Sequence, residues 1–362
     1  MKQILLVKID GIGDYLFFRL FWPQLAELGQ RKNIAFDFLC SPSVFPLAEK
    51  YDRRFIRRIF YPNAEEPDRK DRLRSLFPKY KKRYQRALQY NVCLKTQWDG
   101  VFNVQTARFL WTDGLISRLS AAQKGGVVGN DLYMARLERI QYARSVYTVL
   151  SAPAEDVFIL DHLRMMLQDF LDEPFESPHP ALPFGPEEIR RTVNDMLGLS
   201  AAGEYIAFVP YTSSGFKNWD SKNFKRLAEK LRTICGLKIL VLGCTPPGVK
   251  REPWDHLPNV INLLDKTSLD DAMKLSAGAR YAVCTDTSLM HCALLGGAEC
   301  ACISVGLYQR LFMQYPPRAG VKQHVFFPHA AAGGSMRDFS IPDINAVRAD
   351  DVWEYIRTSW RL

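Results

Sequence analysis

The first fourteen residues constrain the fold of this chain more than any other stretch. An apolar run from Ile4 to Ile9 predicts a buried strand, and the turn Asp10-Gly-Ile-Gly-Asp14 ends it. An apolar helical pattern over residues 15–28 follows. A strand, a glycine turn and a helix in this order are typical of α/β domains, which bind ligands at the carboxyl ends of their parallel strands. We expect Asp14 to act there either as a helix N-cap or as a general base.

Strand and helix signals alternate in both halves of the chain, which predicts parallel sheets covered by helices. Five prolines in residues 171–186 predict a linker between two domains. The strands are expected over residues 4–9, 35–40, 55–60, 100–104, 205–210, 237–243, 260–263, 281–285 and 300–305. The helices are expected over residues 15–28, 44–49, 71–89, 107–119, 156–170, 187–197, 221–235, 268–276, 288–295 and 349–360.

The fold class that follows is α/β, with two Rossmann-like domains facing a cleft. We assign residues 1–175 to the first domain and residues 176–346 to the second. Residues 347–362 carry an amphipathic helix, which we expect to pack back on the first domain.

The composition is that of an ordinary globular protein, with 47% apolar and 24% charged residues. None of the apolar runs reaches the length of a membrane span, and Lys8 and Asp10 interrupt the first one, which argues against a signal peptide. We therefore predict a cytoplasmic protein. The eight cysteines include no CxxC pair and match no zinc spacing, so we expect reduced, buried thiols and no metal site.

Positive charge is concentrated in one part of the chain, whose formal net charge is +9. Residues 68–90 hold nine Lys/Arg and two Asp, and Arg53, Arg54, Arg57 and Arg58 precede them. This run is either a solvated helix face or a platform for an anionic partner such as a phosphorylated glycolipid or a membrane surface. It contains no recognised nucleic-acid motif, so we do not expect nucleic acid as a partner.

A polar loop over residues 210–219 lies between a predicted strand and a predicted helix. It contains Ser213, Ser214 and Lys217. Hydroxyls, backbone N–H groups and one ammonium suit a diphosphate, although an ordinary polar loop has a similar composition.

A second loop of this kind follows the strand predicted over residues 281–285. Asp286, Thr287 and Ser288 open a helix, where unpaired N–H groups and the positive end of the helix dipole favour a phosphate. His291 lies one turn inside that helix, either as a structural residue or as part of the anion site.

In this order, the three motifs resemble those of glycosyltransferase family 9, the ADP-heptose lipopolysaccharide heptosyltransferases. The Gly-x-Gly-Asp turn (residues 11–14), the Lys-x-Trp loop (217–219) and the Asp-Thr-x-x-x-His segment (286–291) carry the resemblance, and residues 98–105 and 265–272 add to it. The chain departs from the family pattern at Asp10, where a small polar residue is usual, and at Thr106 and Ser288, where glycine is common.

The resemblance implies the two-domain GT-B architecture and an inverting transferase. The nucleotide-sugar donor would bind the second domain. The implied donor-binding residues are Ser213, Ser214, Lys217, Glu252, Thr267, Asp286, Thr287, Ser288 and His291. Since the sequence has no DxD motif, we expect a metal-independent enzyme that needs no cofactor besides its nucleotide-sugar substrate.

The acceptor would bind the first domain, with Asp14 as the general base. The other implied acceptor-side residues are Lys8, Gly11, Gly13, Arg53 and Arg57. The implied acceptor is an anionic glycolipid such as a lipopolysaccharide core, and the implied location is the inner face of the inner membrane, where the protein would be peripheral.

Two other functions remain open at this point. A sugar-nucleotide epimerase or hydrolase of the same fold would turn over its substrate without an acceptor. A non-catalytic, basic glycolipid-binding protein would bind no nucleotide-sugar and would not depend on Asp14.

Overall fold

The chain divides into two compact units, Met1–Pro178 and His179–Leu362. The computed structural model describes residues 1–62, 91–129, 143–154, 157–199, 203–246, 249, 254, 257–306, 309–328 and 342–362. The division falls within the proline-rich stretch from which the sequence predicts a linker. The predicted helix over residues 71–89 and the basic run over 68–90 lie outside the described residues.

The first unit is a parallel sheet in the order β3-β2-β1-β4-β5-β6. Its strands are β1 (Lys2–Lys8), β2 (Ile34–Cys40), β3 (Ile59–Phe60), β4 (Gln97–Asn103), β5 (Ser120–Val127) and β6 (Val149–Ser151). Its helices are α1 (Ile12–Phe18), α2 (Trp22–Lys32), α3 (Phe45–Leu47), α4 (Leu110–Ser117) and α5 (Ile159–Leu171). The apolar run of β1 is central in the sheet and buried on both faces, as a continuous apolar strand predicts.

The helix predicted over residues 15–28 is two helices rather than one. A 3-10 turn, Arg19–Phe21, joins α1 to α2. Pro23 lies at the start of α2, where its missing N–H costs no helical hydrogen bond.

Strands β5 and β6 were not expected from the sequence, because β5 is rich in glycine and polar residues. Its glycines serve packing. A Cβ atom on Gly125 would lie 2.6 Å from the ring of Phe102, and one on Gly126 would lie 2.6 Å from the ring of Tyr147. Close aromatic packing therefore selects residues that lack a side chain, and these residues weaken the strand signal in the sequence.

The second unit is also a parallel sheet, in the order β12-β11-β10-β7-β8-β9. Its strands are β7 (Tyr205–Val209), β8 (Lys238–Val241), β9 (Val260–Asn262), β10 (Tyr281–Thr285), β11 (Glu299–Ile303) and β12 (Lys322–Phe326). Its helices are α6 (Pro186–Leu197), α7 (Ser221–Ile234), α8 (Leu269–Ala277), α9 (Ser288–Leu295) and α10 (Ala349–Ser359). The sequence patterns predicted these strands except β12.

Helix α10 differs from the expectation that it packs on the first domain. Val352 and Ile356 are buried in the core of the second unit. Trp360, directly after the helix, stacks on Tyr281 with ring centroids 4.5 Å apart. An amphipathic stripe predicts that one face is covered but does not say by which domain, so only the structure identifies the partner.

Both sheets have the same topology, which confirms the predicted α/β class with two Rossmann-like domains. In each sheet the strand order reverses between two central strands, β1 and β4 in the first unit and β7 and β10 in the second. Open α/β sheets bind ligands outside the carboxyl ends of the strands at such switch points. In the described part of the chain, no helix has both the length and the apolar character needed to cross a membrane.

Candidate active site

Asp14 lies at the first switch point, in the first turn of α1. Gly11 occupies the N-cap position of that helix, so the interpretation of Asp14 as the cap is wrong. The Oδ1 atom of Asp14 accepts a hydrogen bond from Thr106 Oγ1 at 3.2 Å. Because Thr106 follows β4, this bond joins the two loops of the switch point. Asp14 is half-buried, so its carboxylate remains accessible to a substrate.

A buried ion pair lies beside Asp14, between two residues of the β1 end. Lys8 is fully buried, and its Nζ atom lies 2.9 Å from Asp10 Oδ2. The same ammonium donates to the carbonyl oxygen of Val104 at 3.2 Å. Burial, and then the negative charge of Asp14, raise the pKa of Asp10 to about 7, while Lys8 opposes the shift.

A second buried network holds α1 in place. The Tyr15 hydroxyl donates to Asp52 Oδ2 at 2.7 Å, and Arg19 binds both carboxylate oxygens of Asp52, at 3.1 and 2.8 Å. Burial raises the pKa of Asp52, and the charge of Arg19 opposes it. These bonds tie α1 to the helical turn Ala48–Asp52, and therefore fix the backbone that carries Asp14.

The loop that carries Thr106 is held by a buried polar group that the sequence analysis did not identify. Arg108 Nε donates to Asp113 Oδ2 at 3.1 Å, and both side chains are fully buried. The Tyr147 hydroxyl donates to Asp113 Oδ1 at 2.5 Å and accepts from Asn103 Nδ2 at 3.1 Å. The sequence did contain a signal for this group, because Arg108 and Asp113 are charged residues within an otherwise apolar helical pattern.

The structure does not bring Arg57 to the switch point. Its guanidinium donates to Asp37 Oδ1 and to Gln3 Oε1, each at 3.0 Å. Gln3 lies near the opposite end of β1 from Lys8, and a strand rises about 3.3 Å per residue. Arg53 Nη1 donates locally, to the Arg57 carbonyl oxygen at 3.0 Å.

Lys217 and Asp286 meet at the second switch point. Lys217 Nζ lies 2.8 Å from Asp286 Oδ2, with 22% and 11% of the two side chains exposed. Lys217 follows β7 and Asp286 follows β10, and Thr285 Oγ1 bonds the Val209 carbonyl oxygen at 3.1 Å between those strands. Two loops that are remote in sequence are thus joined through one ion pair.

The loop that carries Lys217 is anchored by its own side chains. Asn218 Oδ1 accepts from the backbone N–H of Thr212 at 2.7 Å, and the Lys217 N–H donates to the Ser214 carbonyl oxygen at 2.9 Å. Trp219 is buried, and its Nε1 atom donates to the Val347 carbonyl oxygen at 2.9 Å. The Trp of the Lys-x-Trp motif is therefore an anchor in the core. Ser213 is exposed, and Ser214 is half-buried.

The N-terminus of α9 lies beside the Lys217–Asp286 pair. Thr287 is its N-cap residue in extended conformation, and both Thr287 and Ser288 are half-buried. The first N–H groups of a helix lack partners within the helix, and they carry the positive end of its dipole.

His291 is buried one turn inside α9. Its Nδ1 atom lies 2.7 Å from the hydroxyl of Tyr315, a residue that no sequence motif indicated. Burial lowers the pKa of His291 to about 4, the charge of Asp286 opposes this shift, and that of Lys217 adds to it. His291 is therefore neutral near pH 7 and supports the helix rather than supplying positive charge.

Two predicted donor residues lie apart from this pair or outside the described residues. Thr267 is half-buried in the loop after β9, two strands away from β7, and precedes Ser268, which caps α8. Glu252 lies outside the described residues. Among the residues that the structure does describe, no group of three His, Cys, Asp or Glu side chains could hold a metal ion. The eight cysteines are free thiols, and six of them are buried.

Comparison with known proteins adds a family match to this geometry. The family model described as glycosyltransferase family 9 (heptosyltransferase) matches residues 121–298. None of the curated proteins matches the sequence.

Solved structures resemble the chain over nearly its full length. E. coli heptosyltransferase WaaC with ADP is 20% identical, with a TM-score of 0.63 over 98% of this chain and 99% of that one. E. coli ADP-heptose lps heptosyltransferase II is 16% identical, with a TM-score of 0.62 over 99% and 98%. A glycosyl transferase family 9 structure from Veillonella parvula is 13% identical, with a TM-score of 0.60 over 99% and 96%. At these identities the likeness shows the fold.

Proposed function

We propose that this chain, a glycosyltransferase family 9 protein through residues 121–298, transfers a heptose-type sugar from a nucleotide-diphosphate donor to an anionic glycan. The observation that carries the proposal is the meeting of Lys217, Asp286 and the N-terminus of α9 at the second switch point. A nucleotide-sugar transferase needs positive charge where its diphosphate leaves, and these groups supply it.

The donor half of the mechanism uses Lys217 and α9 as an anion site. Before the donor binds, Asp286 holds the Lys217 ammonium in the loop. As the sugar–phosphate bond breaks, the ammonium and the backbone N–H groups at Thr287 and Ser288 stabilise the negative charge on the diphosphate. Because these groups supply positive charge, we expect transfer without a divalent metal. Ser213 and Ser214 would add hydroxyl contacts.

ADP-heptose is the donor that we propose. Solved structures of E. coli WaaC, whose fold this chain shares, contain ADP or ADP-2-deoxy-2-fluoro heptose. The nucleobase would lie toward the loop of Thr267, which is at the same edge of the sheet as Lys217.

The acceptor half uses Asp14 as the general base. Asp14 takes the proton of the acceptor hydroxyl as that oxygen attacks the anomeric carbon. A single displacement with a single base inverts the anomeric configuration. The hydrogen bond from Thr106 orients the carboxylate, and the network of Tyr15 and Arg19 fixes its helix.

The acceptor that we propose is an anionic glycolipid such as a lipopolysaccharide core. The net charge of +9 supports an anionic partner and a peripheral location at the inner face of the inner membrane.

Calorimetric titration with ADP, UDP, GDP and ADP-heptose tests the donor site. We expect selective binding of the two adenine nucleotides, weakened roughly tenfold or more in Lys217→Ala, since a hydrogen bond to a charged group contributes about 1.5–3 kcal/mol. Lys222→Ala is the matched control, because Lys222 also pairs with an aspartate at 2.8 Å but its side chain is 79% exposed. Absence of nucleotide binding in the wild-type protein would contradict the proposed function.

Turnover separates a transferase from the alternatives. With ADP-heptose and a heptose-free lipopolysaccharide core, ADP release should require the acceptor and persist in EDTA. Release of equal amounts of ADP without the acceptor would instead indicate a hydrolase.

A further inference from the structure

The ion pair beside Asp14 has a chemical consequence for the proposed base. Lys8 is fully buried, and its ammonium makes contact with Asp10 Oδ2 at 2.9 Å and the Val104 carbonyl oxygen at 3.2 Å. It also lies 5.7 Å from the centroid of the Phe18 ring. A positive charge in such surroundings is weakly screened, so it acts strongly on neighbouring ionisable groups.

Asp10 is the acidic residue that faces this ammonium. Its side chain is 9% exposed, and the Oδ1 atom is buried without a hydrogen-bond partner among the described residues. Its backbone carbonyl oxygen accepts from Ser41 Oγ at 3.1 Å, which holds the turn against the end of β2. The carboxylate thus has one strong partner, Lys8.

Among the described residues, two helices and strand β2 contribute the other titratable groups around the pair. Asp14 faces Asp10 from α1, and its charge disfavours ionisation of Asp10. His162 faces Lys8 from α5, and burial and that ammonium help hold its pKa at about 4, so it is neutral near pH 7. Cys40 of β2 is the register partner of Lys8, and burial raises the pKa of its thiol, so the thiol is neutral near pH 7. Ser41, Val104 and Thr106, which also face the site from the ends of β2 and β4, do not titrate in this range.

We propose that Asp10 is a positioning residue that neutralises the buried ammonium of Lys8 and thereby keeps Asp14 basic enough to accept the acceptor's proton. The inference deepens the proposed function and rests on it. An unneutralised Lys8 would stabilise the ionised form of Asp14 and oppose proton uptake. With Asp10 ionised, the two charges next to Asp14 balance.

The proton balance of the step is simple. The acceptor O–H proton passes to Asp14, the acceptor oxygen bonds to the anomeric carbon, and the electron pair of the broken sugar–oxygen bond leaves with the diphosphate. Asp10 and Lys8 keep their protonation states throughout, so their contribution is electrostatic.

The pair also predicts a pH dependence. The pKa of Asp10 is raised to about 7, so Asp10 takes up a proton as the pH falls through that value. Lys8 is then unneutralised, and kcat should fall below pH 7. A variant whose residue 10 is permanently neutral should have a low kcat throughout and should lack this transition.

The test compares kcat between pH 5.5 and 9 for the wild type, Asp10→Asn and the double variant Lys8→Met/Asp10→Asn. We expect Asp10→Asn to lower kcat roughly tenfold at pH 8, equivalent to about one unit in the pKa of Asp14, and to remove the transition near pH 7. The double variant should recover most of the rate because it lacks the ammonium. Wild-type kcat in Asp10→Asn, or no recovery in the double variant, would overturn the inference.

A second measurement does not depend on turnover. A ¹³C NMR titration of labelled aspartate carboxyls, with the Asp14 signal assigned by Asp14→Asn, gives the pKa of Asp14 in each variant. It should drop in Asp10→Asn and recover in the double variant, and an unchanged pKa would overturn the proposal. Thermal unfolding of each variant checks that it folds. Failure of the proposed function is distinguishable, because it would appear as absent nucleotide binding in the wild type.

Discussion

The two switch points share one topology and carry opposite excess charge. At the first, the ammonium of Lys8 pairs with Asp10 at 2.9 Å, and the charge of Asp14 acts on Asp10, so with both carboxylates ionised negative charge is in excess. At the second, Lys217 pairs with Asp286 at 2.8 Å, and the positive end of α9 lies beside them.

This difference in charge matches the two tasks that we propose for the two units. The strand order determines where a ligand binds, and the residues after β1, β4, β7 and β10 determine what that place can do. A carboxylate in excess can accept a proton, whereas a cation near a helix N-terminus can stabilise a departing anion. Among the described residues, each unit also contains one histidine that is buried and neutral near pH 7, His162 in the first and His291 in the second.

The largest effect is expected from a substitution that changes only the first switch point. Asp14→Asn should lower kcat by about 10²–10⁴, the usual contribution of a general base. ADP affinity should not change, because the proposed donor site is in the other unit. Steady-state kinetics with an acceptor measures the rate, and Asp195→Asn, an exposed carboxamide substitution on α6, is the control. Full activity of Asp14→Asn would remove Asp14 from the proposed chemistry.

Acid should weaken both units through their buried histidines. Below pH 6.5 the unfolded chain takes up a proton that folded His291, with its pKa of about 4, does not accept. The contribution of each histidine to the free energy of unfolding should therefore fall as the pH drops from about 6.5 to about 4, by at most about 1.4 kcal/mol per pH unit. Asp10, whose pKa is raised, contributes with the opposite sign in the first unit, so the histidine contribution is isolated by comparing variants.

Urea unfolding at several pH values measures this slope. His291→Gln should reduce it, and His162→Gln is the matched variant in the first unit. An unchanged slope in both variants would show that these histidines take up protons as readily in the folded protein as in the unfolded chain, and would contradict the lowered pKa values.

A smaller effect is expected from Tyr315→Phe, which tests whether the Tyr315 hydroxyl supports the start of α9 specifically or only stabilises the second unit in general. Tyr315→Phe removes the hydrogen bond to His291 and should cost about 1–3 kcal/mol of stability. It should also weaken ADP binding severalfold, because His291 supports the first turn of α9. Tyr205→Phe is the control, since the Tyr205 hydroxyl donates to the Leu275 carbonyl oxygen at 2.6 Å within the same unit. Equal loss of ADP affinity in both variants would contradict the specific role of Tyr315.

The last prediction concerns the orientation of Asp14. Thr106→Val removes the 3.2 Å hydrogen bond to Asp14 and should lower kcat roughly tenfold, as expected for one hydrogen bond to a charged group. Thr112→Val is the matched control, because the buried Thr112 hydroxyl has no hydrogen-bond partner in the described part of the chain. If both variants keep the wild-type kcat, the Thr106 bond does not orient the base.

Much of this arrangement could be predicted from local patterns. The apolar runs of β1, β7 and β10 were readable because a strand buried on both faces needs continuous apolar sequence. The motifs that hold Asp14 and Lys217 were readable because each directly follows such a strand. Strand β5 could not be predicted in this way, because its glycines are required by aromatic rings that pack against them from distant parts of the sequence.

The amino-acid sequence by itself determined the two α/β domains and the residue types at the strand ends. Hydrophobic periodicity, proline and glycine determine structure over only a few residues, so these features can be predicted from local sequence. Tertiary structure alone decided that Asp10 faces Lys8, that Tyr315 supports His291 and that α10 covers the second core. Burial and hydrogen-bond geometry depend on which segments meet in space, and those contacts determine which carboxylate is a candidate base and which histidine stays neutral.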